Sequence, residues 1–244
     1  MAQTMTVEAS ATSPRSLPAR IAGVILSPRA AYADVAARPR VLGALAVVLA
    51  VIMIATFAFL STDVGQQASL DNQVRQMEAF GRGVSDTRYA QMERMAPYAR
   101  YFALVFQVVS MPIMALVVAG LAYGIFNAGL GGDAAFKQVY AIVVHSGVIL
   151  VVQALFGLPL AYARESLSGT TNLAVFFPFL DEATFAARTL GAVDLVLVWW
   201  LVSLSIGLGV LYRRRTAPIA TSLLLIYVAI GLTIAAVKTA TSGV

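Results

Sequence analysis

The sequence predicts an all-α membrane protein: a bundle of five transmembrane helices with an N-terminal amphipathic helix and a helical outer loop. Three observations predict it. Hydrophobic residues make up 59% of the chain and charged residues 12%, against about 25% charge in an ordinary soluble domain. Five apolar stretches approach the roughly 20 residues needed to cross a hydrocarbon core. A basic run, Arg213-Arg214-Arg215, separates the last two.

The composition excludes several function classes. No cysteine is present, which removes disulfides, thiolate metal sites and cysteine nucleophiles. The net charge is +5. In a membrane chain such an excess reports topology and attraction to anionic headgroups, so the expected partner is the lipid bilayer and not nucleic acid. One histidine without cysteine, and no H-E-x-x-H, leaves no metal site to expect. No cofactor motif is present.

In chain order, residues 1–20 are polar and small, with Pro14 and Pro18, and read as a disordered tail. No h-region of a secretory signal is expected there, because the apolar run Ile21–Leu26 is short. The membrane domain is expected over 21–238. It opens with a helix over 27–40, capped by Ser27 with Pro28 in its first turn and stopped by Pro39. Arg29, Arg38 and Arg40 give this helix a basic surface suited to the headgroup plane; the alternative is a linker that positions span one. Span one is 41–60. The segment 61–100 is polar, with Leu70, Val74 and Met77 at helical spacing, and predicts one or two amphipathic helices outside the bilayer.

Span two, 101–127, carries Gly120-Leu-Ala-Tyr-Gly124. Small residues at this spacing let helix backbones approach closely, either within one bundle or between copies of the chain. Pro112 is expected to kink this span. Asp133 is expected to cap span three, 138–162. An outer loop follows, whose segment Leu173–Leu180 is too short to span and reads as interfacial. Asp181 is expected to cap the helix leading into span four, 190–211. Span five is 217–237, and 239–244 is a tail.

Five spans put the termini on opposite sides. With the N-terminus inside, the inner segments hold Arg15, Arg20, Arg29, Arg38, Arg40, Lys137 and Arg213 to Arg215. By the Lys/Arg bias the N-terminus is expected to be cytoplasmic and the C-terminus outside.

Several of these pieces form a familiar pattern. They are S-P-x-x-x-Y-x-D-V before span one (27–35), F-K-Q-V-Y-A-I-V-V-H-S (136–146), L-D-E-A-T-F (180–185) and D-L-V-L-V-W-W-L-V-S-L-S-I-G-L-G-V-L-Y (194–212). The chain resembles the YIP1 family, bacterial type, over about 20–238 apart from 61–100. The resemblance implies a multi-span helical protein of the inner membrane. Eukaryotic relatives are associated with Rab GTPases and vesicle traffic; that partner is not carried over. The family supplies no catalytic residues to transfer.

Candidate sites follow from polar residues inside spans, where ionisable groups normally face the bundle and have partners. Asp194, Gln153 and Gln107 fall near the outer end of their spans at 1.5 Å rise per residue. They are expected to form a polar cluster, with Arg188 as the nearer counter-ion. The cluster is either a proton- or ion-responsive site or a hydrogen-bonded clamp, and the clamp is favoured. His145 and Ser203 fall at similar depth, as does Ser205. A Ser–His pair invites a hydrolase reading, but no G-x-S-x-G is present, and a packing histidine is favoured. Trp199 and Trp200 lie mid-span as packing or lipid-facing bulk. Arg213, Arg214 and Arg215 are expected to set topology and to meet lipid headgroups. The resulting expectation is a non-enzymatic, membrane-organising or partner-binding protein, with a second copy of the chain or another membrane protein as its partner. A small transporter or channel using the cluster around Asp194 is the alternative and an intramembrane hydrolase the remote one.

Overall fold

The computed structural model describes residues 15–177, 179–180 and 184–241, so the expected cap Asp181 and the loop breaker Pro178 lie outside the described residues, as do residues 1–14 of the tail. The described chain is helical. Four helical elements are long and apolar enough to cross a membrane: Leu42–Leu60, Asp86–Gly129, Phe136–Ala163 and Thr216–Thr241. The stretch expected to be span four is the shorter apolar helix Leu195–Leu211. Its 17 residues reach about 25 Å at 1.5 Å per residue. It is short because Asp194 ends it at one side and the turn at Arg213, which has φ +53°, at the other.

The polar tail ends earlier than expected. Helix α1 spans Leu17–Leu26, with Pro18 in its first turn, where the missing N–H costs no hydrogen bond. Helix α2 spans Pro28–Ala37 with Ser27 at its N-cap, although the Ser27 side chain makes no capping bond. The two form a tight hairpin: a Cβ on Gly23 would stand 3.0 Å from Ala31 Cβ. The face of α2 carrying Ala31, Tyr32 and Val35 is buried against two later helices, α7 (Phe136–Ser146) and α10 (Leu195–Leu211). This helix is therefore docked on the bundle through its small and aromatic face and presents Arg29 outward.

Helix α3 (Leu42–Leu60) packs between α6 (Ala99–Tyr123) and α8 (Val148–Ala163). The polar stretch after it forms two helices, α4 (Asp63–Ala79) and α5 (Asp86–Met95), capped by Thr62 and Ser85 respectively. A short 3-10 turn joins α5 to α6, and α6 passes into a π-helical turn, Gly124–Gly129. Pro112 lies inside α6 without ending it.

Asp133 does not cap the next helix. The N-cap of α7 is Ala135, and the Gln138 side chain accepts from the Ala135 N–H at 2.8 Å. Gln138 also donates to the Ala36 carbonyl at 2.9 Å, which fixes the end of α2 to the start of α7. Span three is thus α7 and α8 joined at Gly147.

Beyond α8, the loop makes a 3-10 turn, Leu173–Phe176, capped by Asn172. Phe176 and Phe179 are exposed there. Helix α9 (Phe185–Gly191) is capped by Thr184. Helix α11 (Thr216–Thr241) packs on α10 and extends past 238, so the expected tail is helical at least to Thr241. The core sits where α2, α7 and α10 meet, around Tyr32, Ile142 and Leu208.

Candidate functional site

Polar side chains gather at two places along α10, one at its start and one at its middle. At its start, Asp194 is the N-cap and not an in-span residue. Its extended backbone lets the carboxylate fold back on the first turn, where Oδ1 accepts from Val196 N at 2.8 Å and from Leu197 N at 3.0 Å. Oδ2 accepts from Gln153 Nε2 at 3.0 Å and from the Thr171 hydroxyl. The backbone joins in. Thr171 O accepts from Leu195 N, and Val193 O accepts from Leu173 N, both at 3.0 Å. Asp194 N donates to Tyr227 Oη at 2.8 Å, and that hydroxyl donates to Ala192 O at 2.9 Å. The carboxylate therefore ties α8 and the outer loop to α10, and the backbone beside it is tied to α11 through Tyr227.

Four donors converge on this carboxylate at the start of the helix and fill its acceptor capacity. Gln153 belongs to the site as expected. Gln107 does not: it donates to Thr56 Oγ1 at 2.9 Å and so bridges α6 to α3. Its direction on α6 fixed that outcome, and depth alone could not supply it. Arg188 is in the last turn of α9 and is not among the Asp194 partners named above.

Beside the middle of α10, the N-terminal hairpin closes over a second polar group. Arg20 Nε pairs with Asp34 Oδ2 at 2.7 Å, with the two side chains 4% and 14% exposed. Arg20 Nη1 also donates to Arg38 O at 3.1 Å, and Arg38 adds a longer contact to Asp34 at 3.5 Å. Two residues before Asp34, the buried Tyr32 hydroxyl meets Ser203 Oγ at 2.7 Å. A polar pair of this kind, sealed between helices, sets the position of α2 on α10 because no water replaces the bond once it breaks.

This pairing answers the Ser–His question geometrically. Ser203 is engaged with Tyr32, and Ser205 donates to Leu201 O at 2.7 Å. His145 is fully buried and its Nδ1 lies 2.7 Å from Ala141 O. A carbonyl can only accept, so Nδ1 carries the proton. Among the described residues its Nε2 has no hydrogen-bond partner. Neighbouring Ser146 accepts from Trp200 Nε1 at 3.0 Å, which places Trp200 inward, while Trp199 is 37% exposed. Among the described residues no group of three or more His, Asp or Glu side chains could hold a metal ion.

Arg213, Arg214 and Arg215 form the exposed turn after α10. Arg214 Nη2 donates to Leu130 O at 2.9 Å, and Tyr212 Oη donates to Asn127 Oδ1 at 2.6 Å. The basic turn is thereby held against the end of α6. Among the described residues, nothing lies within 4 Å of a Cβ placed at Gly120 or Gly124.

The sequence model of the Yip1 domain family matches residues 22–237. The chain belongs to the Yip1 domain family. The match begins inside α1 and ends inside α11, so the Asp194 site of this Yip1-domain chain, with Tyr32, Asp34 and Ser203, falls within the matched residues, and Arg20 lies just before them. No curated protein sequence and no solved structure matches the chain.

Residue-level reading of the sequence missed Tyr32, Asp34, Arg20, Thr171 and Tyr227. Two of these, Tyr32 and Asp34, stand at the fixed positions of the S-P-x-x-x-Y-x-D-V element. That spacing was the available signal: Tyr32 and Asp34 lie two residues apart on α2 and so point to different neighbours, the bundle and the hairpin.

Proposed function

We propose that this Yip1-domain membrane protein is non-enzymatic and organises membrane or protein partners. The observation that carries the reading is where its intramembrane polar groups are directed. Asp194 and Gln153 bind the outer loop and the α10 cap, Ser203 binds Tyr32, and Ser205 and His145 bind carbonyls of their own helices. Each of these side chains joins one structural element to another or returns to its own backbone.

On this reading α10 is a fifth crossing. Its support is the antiparallel neighbour α11 along its length and the Asp194 cap, which satisfies the first N–H groups where the helix is short. The basic residues of the α1–α2 hairpin and the Arg213–Arg215 turn then share one side, assigned to the cytoplasm by the Lys/Arg rule, with the C-terminus outside. An inner membrane of bacterial type is the setting proposed. Gly120 and Gly124, open on α6, are the surface proposed for self-association or another membrane protein.

The test uses the absence of cysteine. Single cysteines at 153, 145 and 205 are probed in sealed vesicles with a membrane-impermeant thiol reagent from each side. The expected result is no labelling at 145 and 205. Labelling of 145 and 153 together would mean a water-filled path, and the transporter reading would replace this one.

A further inference from the structure

An open groove of about 900 Å³ lies between α4 and the continuous α5–α6 helix, away from the polar sites. Its volume lies within the roughly 300–1,000 Å³ of small-molecule sites. Its two ends differ in chemistry. The lower end is lined by Leu60, Phe102 and Phe106, at the last residue of α3 and the first two turns of α6. The upper end is lined by Gln73, Gln91 and Arg88. Met92 and Met95 lie between them. Arg88 is the one charged side chain that lines the groove, and it is exposed.

The level of the membrane surface can be read from α6. Tyr98 and Tyr101 stand at its start, and Tyr101 packs edge-on against Phe57 of α3 at 6.5 Å. Arg100 lies 5.0 Å over the Tyr101 ring. Tyrosines and a snorkelling arginine mark the interface. Phe102 and Phe106 therefore lie on the hydrocarbon side, and the methionines and Arg88 outside it. From Phe106 to Arg88 is 18 residues, about 27 Å of helix at 1.5 Å per residue.

We propose that this groove holds a single anionic membrane lipid, with its acyl chain against Phe102 and Phe106 and its headgroup at Arg88. The lower half is continuous with the exposed lateral surface of α6, where Phe102 is 63% and Phe106 71% exposed. A lipid enters sideways without its chain leaving hydrocarbon. The methionines continue the apolar track beyond the interface with side chains that adapt to an irregular chain. Glutamine amides and one guanidinium then meet a polar, negatively charged head. A soluble protein segment would have to reach the lower half through the bilayer. This proposal goes beyond the organising role and does not depend on it.

The test places a bimane fluorophore on a cysteine substituted for Met95, in the purified full-length chain. The chain is reconstituted into phosphatidylcholine vesicles carrying a minor fraction of nitroxide-labelled lipid, either phosphatidylglycerol or phosphatidylcholine, with the nitroxide near the ester. A bimane at position 94, on α5 but outside the groove, reports the bulk bilayer. The expected result is stronger quenching at 95 than at 94. Phosphatidylglycerol should quench at 95 with roughly fivefold higher apparent affinity than phosphatidylcholine, the factor that one basic residue is worth near an anionic surface. Arg88→Gln should remove that preference, Arg82→Gln should keep it, and Ala99→Phe, which narrows the groove, should reduce quenching by both lipids. Arg88 and Arg82 are exposed, so folding is not at stake in those two variants. Equal quenching at 95 and 94, equal quenching by the two lipids, or a preference that survives Arg88→Gln would each overturn the proposal.

Discussion

The two longest apolar elements, α5–α6 and α7–α8, are near-equal in hydropathy, yet 61% of the apolar window of α7–α8 is buried and only 6% of that of α5–α6. The difference lies in residue size and shape and not in polarity. On α7 the side chains of Val139, Ile142, Val143 and His145 interlock with α2 and α10. On α6 Phe102, Val105, Phe106 and Leu121 stand outward. In lipid the tails solvate apolar side chains as well as a protein interior does, so burial is decided by packing and by polar bonds between helices. Helix α10 shows the rule. It contributes Ser203, Ser205, Gly207 and Gly209 to the buried set, small residues that admit neighbours and hydroxyls that bond.

That contrast can be broken most sharply at the hairpin. Asp34→Ala leaves Arg20 buried without its partner and should destabilise the protein by about 3–5 kcal/mol, read as a fall in the midpoint of unfolding in mixed micelles. The double variant Arg20→Met with Asp34→Leu should recover much of the loss, because the cost lies in the unpaired charge. A smaller effect is expected at Gly207, where an added Cβ would stand 2.5 Å from Ile142 Cγ2 and 3.1 Å from the Tyr32 ring. Gly207→Val should cost about 1–3 kcal/mol by overpacking, and limited proteolysis should show α1–α2 released first. Ser203→Ala strands the Tyr32 hydroxyl and should cost a similar ~1–3 kcal/mol, whereas Tyr32→Phe with Ser203→Ala together should cost less than the single change.

Asp194→Ala removes a cap and should cost about 0.5–2 kcal/mol, seen as faster amide exchange at 195–198. The smallest effect belongs to α6. Gly120→Val and Gly124→Val meet open space and should change monomer stability by less than about 0.5 kcal/mol. Their readout is cross-linking between copies in vesicles. If both variants cross-link like the parent, the proposed self-association surface is wrong. If Gly120→Val destabilises the monomer as much as Gly207→Val does, the contrast between α6 and α10 fails.

The sequence carried the helical class, the four long apolar elements and the polar helices outside them, because hydropathy and helical spacing are local properties. It also brought Gln153 and Asp194 to one depth. It did not separate Gln107 from them, since two residues at equal depth can face opposite sides of a bundle. It placed Asp194 inside a span, while the short side chain instead folds back to cap α10. It treated 17–20 as tail, although Leu17 and Arg20 become helical once Asp34 and the α3 start at Gly43 are there to receive them.

What the sequence by itself determined is which segments must be helical and apolar, a consequence of backbone groups that have no water to bond in hydrocarbon. Only the tertiary structure decided which faces meet: Tyr32 on Ser203, Asp194 on Gln153 and Thr171, α6 outward and α7 inward. Those choices depend on the fit of small residues and single hydrogen bonds between elements far apart in the chain, and composition holds no record of them.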